Sequence, residues 1–281
     1  MQNQMMADID AWLKEDGLGD GGMYWHKLPK HPVKAHLKIK SNLIFAGLPW
    51  FCAVFERLSP ELGIGLKALQ SYEGKELSTG TEIEIPITLT WDVAITGERL
   101  ALNLLHRASS VATATHELVE IARDHGIQIL DTRKTTPGLR ALEKYAVVIG
   151  GGSNHRFTQV DSWMIKDNHK ELMGIEGAVK FFRDLRQPYK TLILEIHSLA
   201  ELEVARNMNV THFLLDNFSP EDLRRICGTK KSGEFFEVSG GVNRSNIRDF
   251  MIPGIDAVSS GSLTQAPPPV DISFKFRPES L

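Results

Sequence analysis

Six short apolar runs in this 281-residue chain end on, or contain, residues able to do chemistry. Ile127–Leu130 is followed by Asp131-Thr132-Arg133-Lys134, and Trp163–Ile165 by Lys166-Asp167-Asn168-His169. Glu195 lies inside Leu192–Ile196, and Asp216-Asn217 follow Phe213–Leu215. Phe235–Val238 ends on Ser239-Gly240-Gly241, and Ala257-Val258 on Ser259-Ser260-Gly261-Ser262. Arg133, Lys134, His155, Arg156 and Lys166, together with Arg99, make a cationic group suited to an anionic substrate, because arginine forks match carboxylates and phosphates. Taken singly, Arg133, Lys134 and the His155-Arg156 pair read as solvated loop residues. Lys166 resists that reading. It directly follows residues of buried type, where an unpaired ammonium is costly, so it needs a partner. Glu195 and Asp216 are oxygen ligands apt for Mg²⁺ held jointly with substrate phosphates. Their competing role is an internal ion pair with Lys166. The two glycine turns let backbone N–H groups approach a phosphate; either alone makes a tight turn, and the two together favour phosphate binding. Ser245, just beyond the first turn, is placed to cap a short helix aimed at that phosphate.

These residues act together only if the fold brings the ends of the runs to one place. Helical stretches lie between several runs: Ala178–Leu185 puts Val179, Phe182 and Leu185 on one face, and Leu199–Met208 does so with Leu199, Leu202, Ala205 and Met208. Ser219-Pro220-Glu221-Asp222 opens another helix, with serine as cap and acids at the positive end of the dipole. Strands alternating with helices imply a parallel sheet, and this many units a barrel whose carboxyl-terminal strand ends share one rim. The first hundred residues read instead as α+β. Met5–Leu13 spaces Ile9, Trp12 and Leu13 as a helix, and Thr81–Thr90 alternates Ile83, Ile85, Ile87 and Leu89 with polar residues, Pro86 marking an edge or a break. From Glu98 the spacing of Leu100, Leu104, Leu105 and Ala108 is helical, and a second helix, His116–His125, ends at Gly126. After Pro267–Pro269 the tail Val270–Phe276 alternates again, as a strand returning to the first domain. The expected division is an α+β domain of residues 1–106 with 265–281, and an α/β barrel of residues 107–264.

Bulk properties narrow the function classes. A composition of 42% hydrophobic and 24% charged residues is that of a folded globular chain, and a net charge of −3 gives no reason to expect nucleic acid or an acidic membrane as partner. Cys52 and Cys227 supply neither a disulfide framework nor a metal box. Asp8, Asp10, Glu15 and Asp16 argue against a secretory signal, and the apolar window Leu43–Phe55, interrupted by Gly47 and Pro49, is well short of the ~20 residues that span a bilayer. The expected compartment is the cytoplasm.

The segments reached so far resemble the quinolinate phosphoribosyltransferase family. They are GERLALNLLHRASSVATAT (Gly97–Thr115), DTRKTTPGLRALEKYAV (Asp131–Val147), GGGSNHR (Gly150–Arg156), IKDNH (Ile165–His169), LLDN (Leu214–Asn217), SGG (Ser239–Gly241) and the tail SGSLTQAPPPVDISFKF. Matching is looser before residue 97, through WLKEDG and LIFAGLPW. The resemblance implies an incomplete TIM-like α/β barrel of about seven strands with a sandwich-like α+β amino-terminal domain. It also implies a homodimer, or a higher oligomer, whose active sites combine one subunit's barrel with the other's amino-terminal domain, Arg99 reaching across. Arg133, His155, Arg156 and Lys166 fall on quinolinate-binding positions. Lys134 falls on a lysine that contacts quinolinate and phosphoribosyl pyrophosphate (PRPP). Glu195 and Asp216 fall on acidic positions near the ribose and Mg²⁺, and Ser239, Gly240, Gly241 and Gly261 on the 5′-phosphate cradle. Lys134, Lys166, Glu195 and Asp216 would carry catalysis, in pyridine-nucleotide (NAD) biosynthesis. The implied reaction is attack of the ring nitrogen on the anomeric carbon as pyrophosphate departs, followed by loss of the adjacent carboxylate as carbon dioxide. The chain departs from the family pattern at Ile193, often an acid; at Gln265, often histidine; and in GDGGMYW (Gly19–Trp25).

Four other readings compete. Lys166 weighs against the related molybdenum-transport-associated group, and the number of cations against a non-decarboxylating nicotinate phosphoribosyltransferase. From another class, Lys166 at a strand end would suit a Schiff-base aldolase if its amine were neutral. A non-catalytic ligand-binding homologue has little use for the full set of cations, acids and glycine turns.

Overall fold

The computed structural model describes residues 2–19, 27–62, 67–86, 88–185, 187 and 189–278. The chain divides into two compact units, one of residues 1–114, 136–150 and 267–281, the other of residues 115–135 and 151–266. The second boundary of that division, at 136–150, has no counterpart in the expected one, which ran 1–106 with 265–281.

In the first unit an antiparallel sheet is centred on β1 (Pro32–Ile39), which pairs with β12 (Ile272–Pro278) and also with β4 (Glu82–Glu84) and β5 (Leu89–Thr90). Val33, Ala35, Leu37 and Ile39 are buried while Lys34 and Lys38 are exposed, the period-two pattern of a half-buried strand. The expected strand Thr81–Thr90 is two short pieces flanking Pro86, whose missing N–H cannot continue a ladder. Ile83, Ile85 and Leu89 are buried as the alternation required; Ile87 lies outside the described residues, as do residues 20–25 of GDGGMYW. The apolar window becomes β2 (Leu43–Ile44), paired with β3 (Glu76–Leu77), and helix α2 (Leu48–Leu58). α2 buries Phe51 edge-on and Phe55 tilted against Phe274 of β12, and each such side chain contributes about 1.5–3 kcal/mol. Helix α1 (Gln2–Glu15) buries Ile9 and Leu13. Among the described residues no helix is long and apolar enough to cross a membrane.

The two helices expected from Glu98 to His125 are one, α3 (Trp91–Ala122), closed by a short 3-10 turn (Arg123–His125) and by Gly126 at φ 67°. The Ser/Thr-rich stretch between them does not break it, because its hydroxyls are used. Ser109 Oγ donates to the Ala46 carbonyl and accepts from the Ala46 N–H, both at 3.1 Å. Thr113 Oγ1 donates back to the Ser109 carbonyl at 2.7 Å and accepts from the Ile44 N–H at 2.9 Å. Further along α3, Arg107 grips the fully buried Glu143 of α4 (Arg140–Ile149) with Nε at 2.9 Å and Nη2 at 2.7 Å. The other Glu143 oxygen accepts the Thr136 N–H at 3.0 Å. Arg107→Ala leaves that carboxylate short of its cation and is expected to cost about 2–3 kcal/mol in urea unfolding; a cost below about 1 kcal/mol would mean that Glu143 does not depend on it.

The second unit holds a wholly parallel sheet. Its strands are β6 (Gln128–Leu130), β7 (Trp163–Ile165), β8 (Leu192–Ile196), β9 (His212–Asp216), β10 (Phe235–Ser239) and β11 (Ala257–Ser259), in spatial order β6-β11-β10-β9-β8-β7. All six apolar runs are therefore strands of one sheet. In place of a seventh regular strand, Ser153 bridges Leu130 in parallel, its N–H donating to Ile129 at 2.8 Å. The barrel is TIM-like and incomplete. Helices α5 (Asp167–Asp184), α6 (Leu199–Asn207) and α7 (Pro220–Cys227) separate the strands, and Ser219 caps α7 by accepting the Asp222 N–H at 3.1 Å. Ser245 is not the cap of the turn that follows it. Its hydroxyl and N–H both donate to Asn243 Oδ1, and one 3-10 turn (Ile247–Phe250) with Asn246 at its N-cap follows.

Candidate active site

The carboxyl-terminal strand ends of the second unit enclose a cavity of about 340 Å³. Arg133, Lys134, His155, Arg156, Lys166, Glu195, Asp216, Ser239, Gly240, Gly241 and Gly261 all line it, eleven of the twelve residues singled out in the sequence. The twelfth, Arg99, is exposed on α3 in the first unit, where it lines a cleft of about 180 Å³ with Trp12, Glu15 and Asp16.

Beyond β6, the fully buried Asp131 accepts the His155 N–H at 2.9 Å and so fixes the glycine-rich segment that carries His155 and Arg156. Thr132 Oγ1 accepts the Lys134 N–H at 3.0 Å, and the Lys134 carbonyl accepts from Thr264 Oγ1 at 2.8 Å. Arg133 is half-buried, and its buried Nε has no hydrogen-bond partner among the described residues. Burial, and next the neighbouring Arg133, pull the Arg156 guanidinium below its usual range. Two guanidiniums close enough to disfavour each other create a seat for an anion.

Lys166 has the partner it needed. Its Nζ meets Glu195 Oε2 at 2.7 Å, and Glu195 is almost wholly buried. The IKDNH motif thus separates into roles. Lys166 pairs with Glu195, while Asp167 bonds His197 Nε2 at 2.6 Å and Lys170 at 3.4 Å. His169 Nδ1 accepts the Lys166 N–H at 3.0 Å as a cap on α5. His197 also reaches Glu195 Oε1 at 3.3 Å. Asp167, Glu195 and His197 are close enough to share a metal ion, but Lys166 and Lys170 already balance their charge. Asp216 stands apart from this network, with Oδ2 accepting from Asn217 Nδ2 at 2.6 Å.

The two glycine turns differ in kind. Gly240 and Gly241 have φ of 103° and 65°, and a Cβ on Gly240 would sit 2.8 Å from the Asn217 nitrogen. Gly261 is unstrained; a Cβ there would press 3.1 Å from Lys134 Cδ and 2.7 Å from Gln265 Oε1. One turn needs glycine for its backbone, the other for close passage of Lys134. Ile193 does not line the cavity.

Sequence reasoning missed Glu237. It is buried on β10 two residues before Ser239 and lines the same cavity. Strand alternation put it on the face of Ser239, which was the available signal. In register, Leu214 lies between Glu195 and Glu237, so two carboxylates occupy one level of the barrel.

The family profile of the quinolinate phosphoribosyl transferase C-terminal domain matches residues 111–275. The nicotinate-nucleotide pyrophosphorylase (carboxylating) of Homo sapiens is 35% identical, with 97% of this chain and 91% of that protein covered. The protein of the same name from Rattus norvegicus is 34% identical, with 98% and 92% covered. The solved structure of nicotinate-nucleotide pyrophosphorylase from Francisella tularensis matches with a TM-score of 0.87 at 27% identity, over 99% of this chain and 97% of that one.

Proposed function

The chain belongs to the quinolinate phosphoribosyltransferase family, and from that premise we propose that it joins quinolinate to PRPP, giving nicotinate mononucleotide, carbon dioxide and pyrophosphate for NAD biosynthesis. The observation that carries this reading is the buried Nε of Arg133, without a hydrogen-bond partner among the described residues, on a residue that lines one cavity with Arg156, Lys134 and Lys166. A guanidinium N–H buried without an acceptor calls for an anion from outside the protein. Arg133 and Arg156 clamp the pyridine carboxylates, and the turns at Ser239–Gly241 and Gly261 cradle the 5′-phosphate. The ring nitrogen attacks the anomeric carbon as pyrophosphate leaves. The quaternised ring then withdraws the electrons of the breaking carbon–carboxylate bond, carbon dioxide departs, and that carbon takes a proton. Lys166, ion-paired with Glu195, is ill suited to the neutral amine of Schiff-base chemistry.

Mg²⁺ fits this donor set as a companion of the substrate. Glu195 and Asp216 offer hard oxygen ligands, but both Glu195 oxygens are engaged by Lys166 and His197. Held by Glu195 and Asp216 together with the substrate, Mg²⁺ would supply positive charge to the departing pyrophosphate. The proposed assembly is a homodimer with shared sites and the proposed compartment the cytoplasm. Arg99, absent from the cavity lining, is the group the partner would supply. Mixing inactive Arg99→Ala and Lys134→Ala variants is expected to restore about a quarter of wild-type activity through hybrid dimers. Verified subunit exchange with no recovery would rule out sharing.

The deciding assay supplies quinolinate, PRPP and Mg²⁺ and follows nicotinate mononucleotide and carbon dioxide together, with nicotinate as a parallel substrate. Both products from quinolinate and none from nicotinate are expected. Turnover of nicotinate alone would discard the decarboxylation, and no turnover of either would discard the assignment.

A further inference from the structure

Glu237 stands inside the cavity with half of its carboxylate unused. Its Oε2 lies 3.3 Å from His155 Nε2, while Oε1 is buried with no hydrogen-bond partner among the described residues. The His155 ring is committed on both sides. Its Nδ1 lies 2.6 Å from the Arg156 N–H and must offer a lone pair there, which places the ring proton on Nε2, toward Glu237. His155 therefore has no ring nitrogen left for a substrate, although the family resemblance sets it among the quinolinate-binding positions. It holds the Glu237 carboxylate by Oε2 and leaves Oε1, on a residue that lines the cavity, as the oxygen still without a donor among the described residues.

A carboxylate oxygen buried without a donor is costly, and native structures keep such groups where something from outside supplies the donor. The chemistry of the proposed reactants identifies it. Quinolinate presents two carboxylates and a ring lone pair, all acceptors, and the phosphate and diphosphate of PRPP are acceptors too. The ribose hydroxyls are the donors the two substrates bring. We infer that Glu237 Oε1 accepts a hydrogen bond from a ribose hydroxyl, a specificity contact that also repels the pyridine dicarboxylate from that corner and so sorts the two substrates within one cavity. The inference rests on the proposed function above.

The test is calorimetric titration of wild type and Glu237→Met with nicotinate mononucleotide, its 2′-deoxy and 3′-deoxy forms, and quinolinate. A hydrogen bond to a charged acceptor corresponds to about 10- to 100-fold in affinity. Wild type should therefore bind one deoxy form at least about 10-fold more weakly than the parent. In Glu237→Met that ratio should collapse to about one, while quinolinate affinity holds or rises. Deoxy discrimination that survives in the variant overturns the inference alone, as does an equal loss of affinity for mononucleotide and quinolinate, which would mark a structural role. Wild type that binds none of these ligands overturns the functional reading and the inference with it. Should Glu237→Met fail to fold, Glu237→Gln keeps the shape but loses the charge: the deoxy ratio should fall below that of wild type and quinolinate should bind more tightly, and a ratio unchanged from wild type overturns the inference.

Discussion

Lys166→Met is expected to lower kcat/KM on the order of 10³-fold, the loss associated with removing a well-placed electrostatic group from a water-excluded site. Two effects contribute. The cavity loses a cation that faces the anionic substrates, and among the described residues the Glu195 carboxylate keeps only His197 as a partner, Lys170 bonding its carbonyl. Glu195 is 5% exposed, so its charge is poorly solvated once Lys166 is gone, and stability should fall by about 2–3 kcal/mol. These contributions separate in a double variant. Adding Glu195→Gln removes the orphaned charge, so the melting temperature should recover most of its loss while activity stays lost. Recovery of both would mean that Lys166 serves only to neutralise Glu195. An unchanged melting temperature in the single variant would mean that the ion pair contributes nothing to the fold.

The same pair shows how much of this molecule its sequence discloses. That Lys166 needs a partner followed from its place after Met164-Ile165, both buried; which acid would supply it did not. Glu195 and Asp216 were equal candidates by type, and they were separated only by the register of β7, β8 and β9, a long-range property. The six barrel strands were legible because parallel strands covered on both faces read as continuous apolar runs. β1 was not, although Val33, Ala35, Leu37 and Ile39 alternate as cleanly as Thr81–Thr90, since four basic side chains from Lys34 to Lys40 mask the apolar half of the pattern. The unity of α3 was hidden for a different reason. Ser109 and Thr113 look like helix breakers until the main chain at Ile44 and Ala46 is seen to use their hydroxyls. Glu237 escaped because a lone acid inside Phe235–Val238 has no local signature; its meaning lies in the His155 ring eighty-two positions earlier in the chain.

Gly240→Ala is expected to weaken PRPP binding on the order of 10²-fold, comparable to losing a main contact to a charged group, and to leave quinolinate affinity nearly intact. The backbone at φ 103° resists any L side chain, and the new methyl would lie 2.8 Å from the Asn217 nitrogen. That nitrogen cannot yield freely, because its N–H donates to the Ser239 carbonyl at 2.9 Å. Displacing Asn217 also disturbs the 2.6 Å bond from its amide to Asp216, so one methyl reaches both the phosphate turn and an acid beside the ribose. Two controls separate strain from site. Gly241→Ala meets nothing within 4 Å and carries only the cost of φ 65°, about 1–2 kcal/mol, so its binding defect should be much smaller. Gly254, at φ 98° with Cys227 Cβ 3.0 Å from an added methyl, does not line the cavity, so its alanine variant should lose stability and keep affinity. Titration of each variant with ribose 5-phosphate and with quinolinate reads the pattern directly. If Gly240→Ala and Gly254→Ala lose ribose 5-phosphate affinity alike, backbone strain alone explains the defect and the phosphate cradle does not lie at Ser239–Gly241. If only Gly240→Ala loses it, the left-handed turn is the cradle, and its glycine is required because Asn217 leaves no room for a side chain.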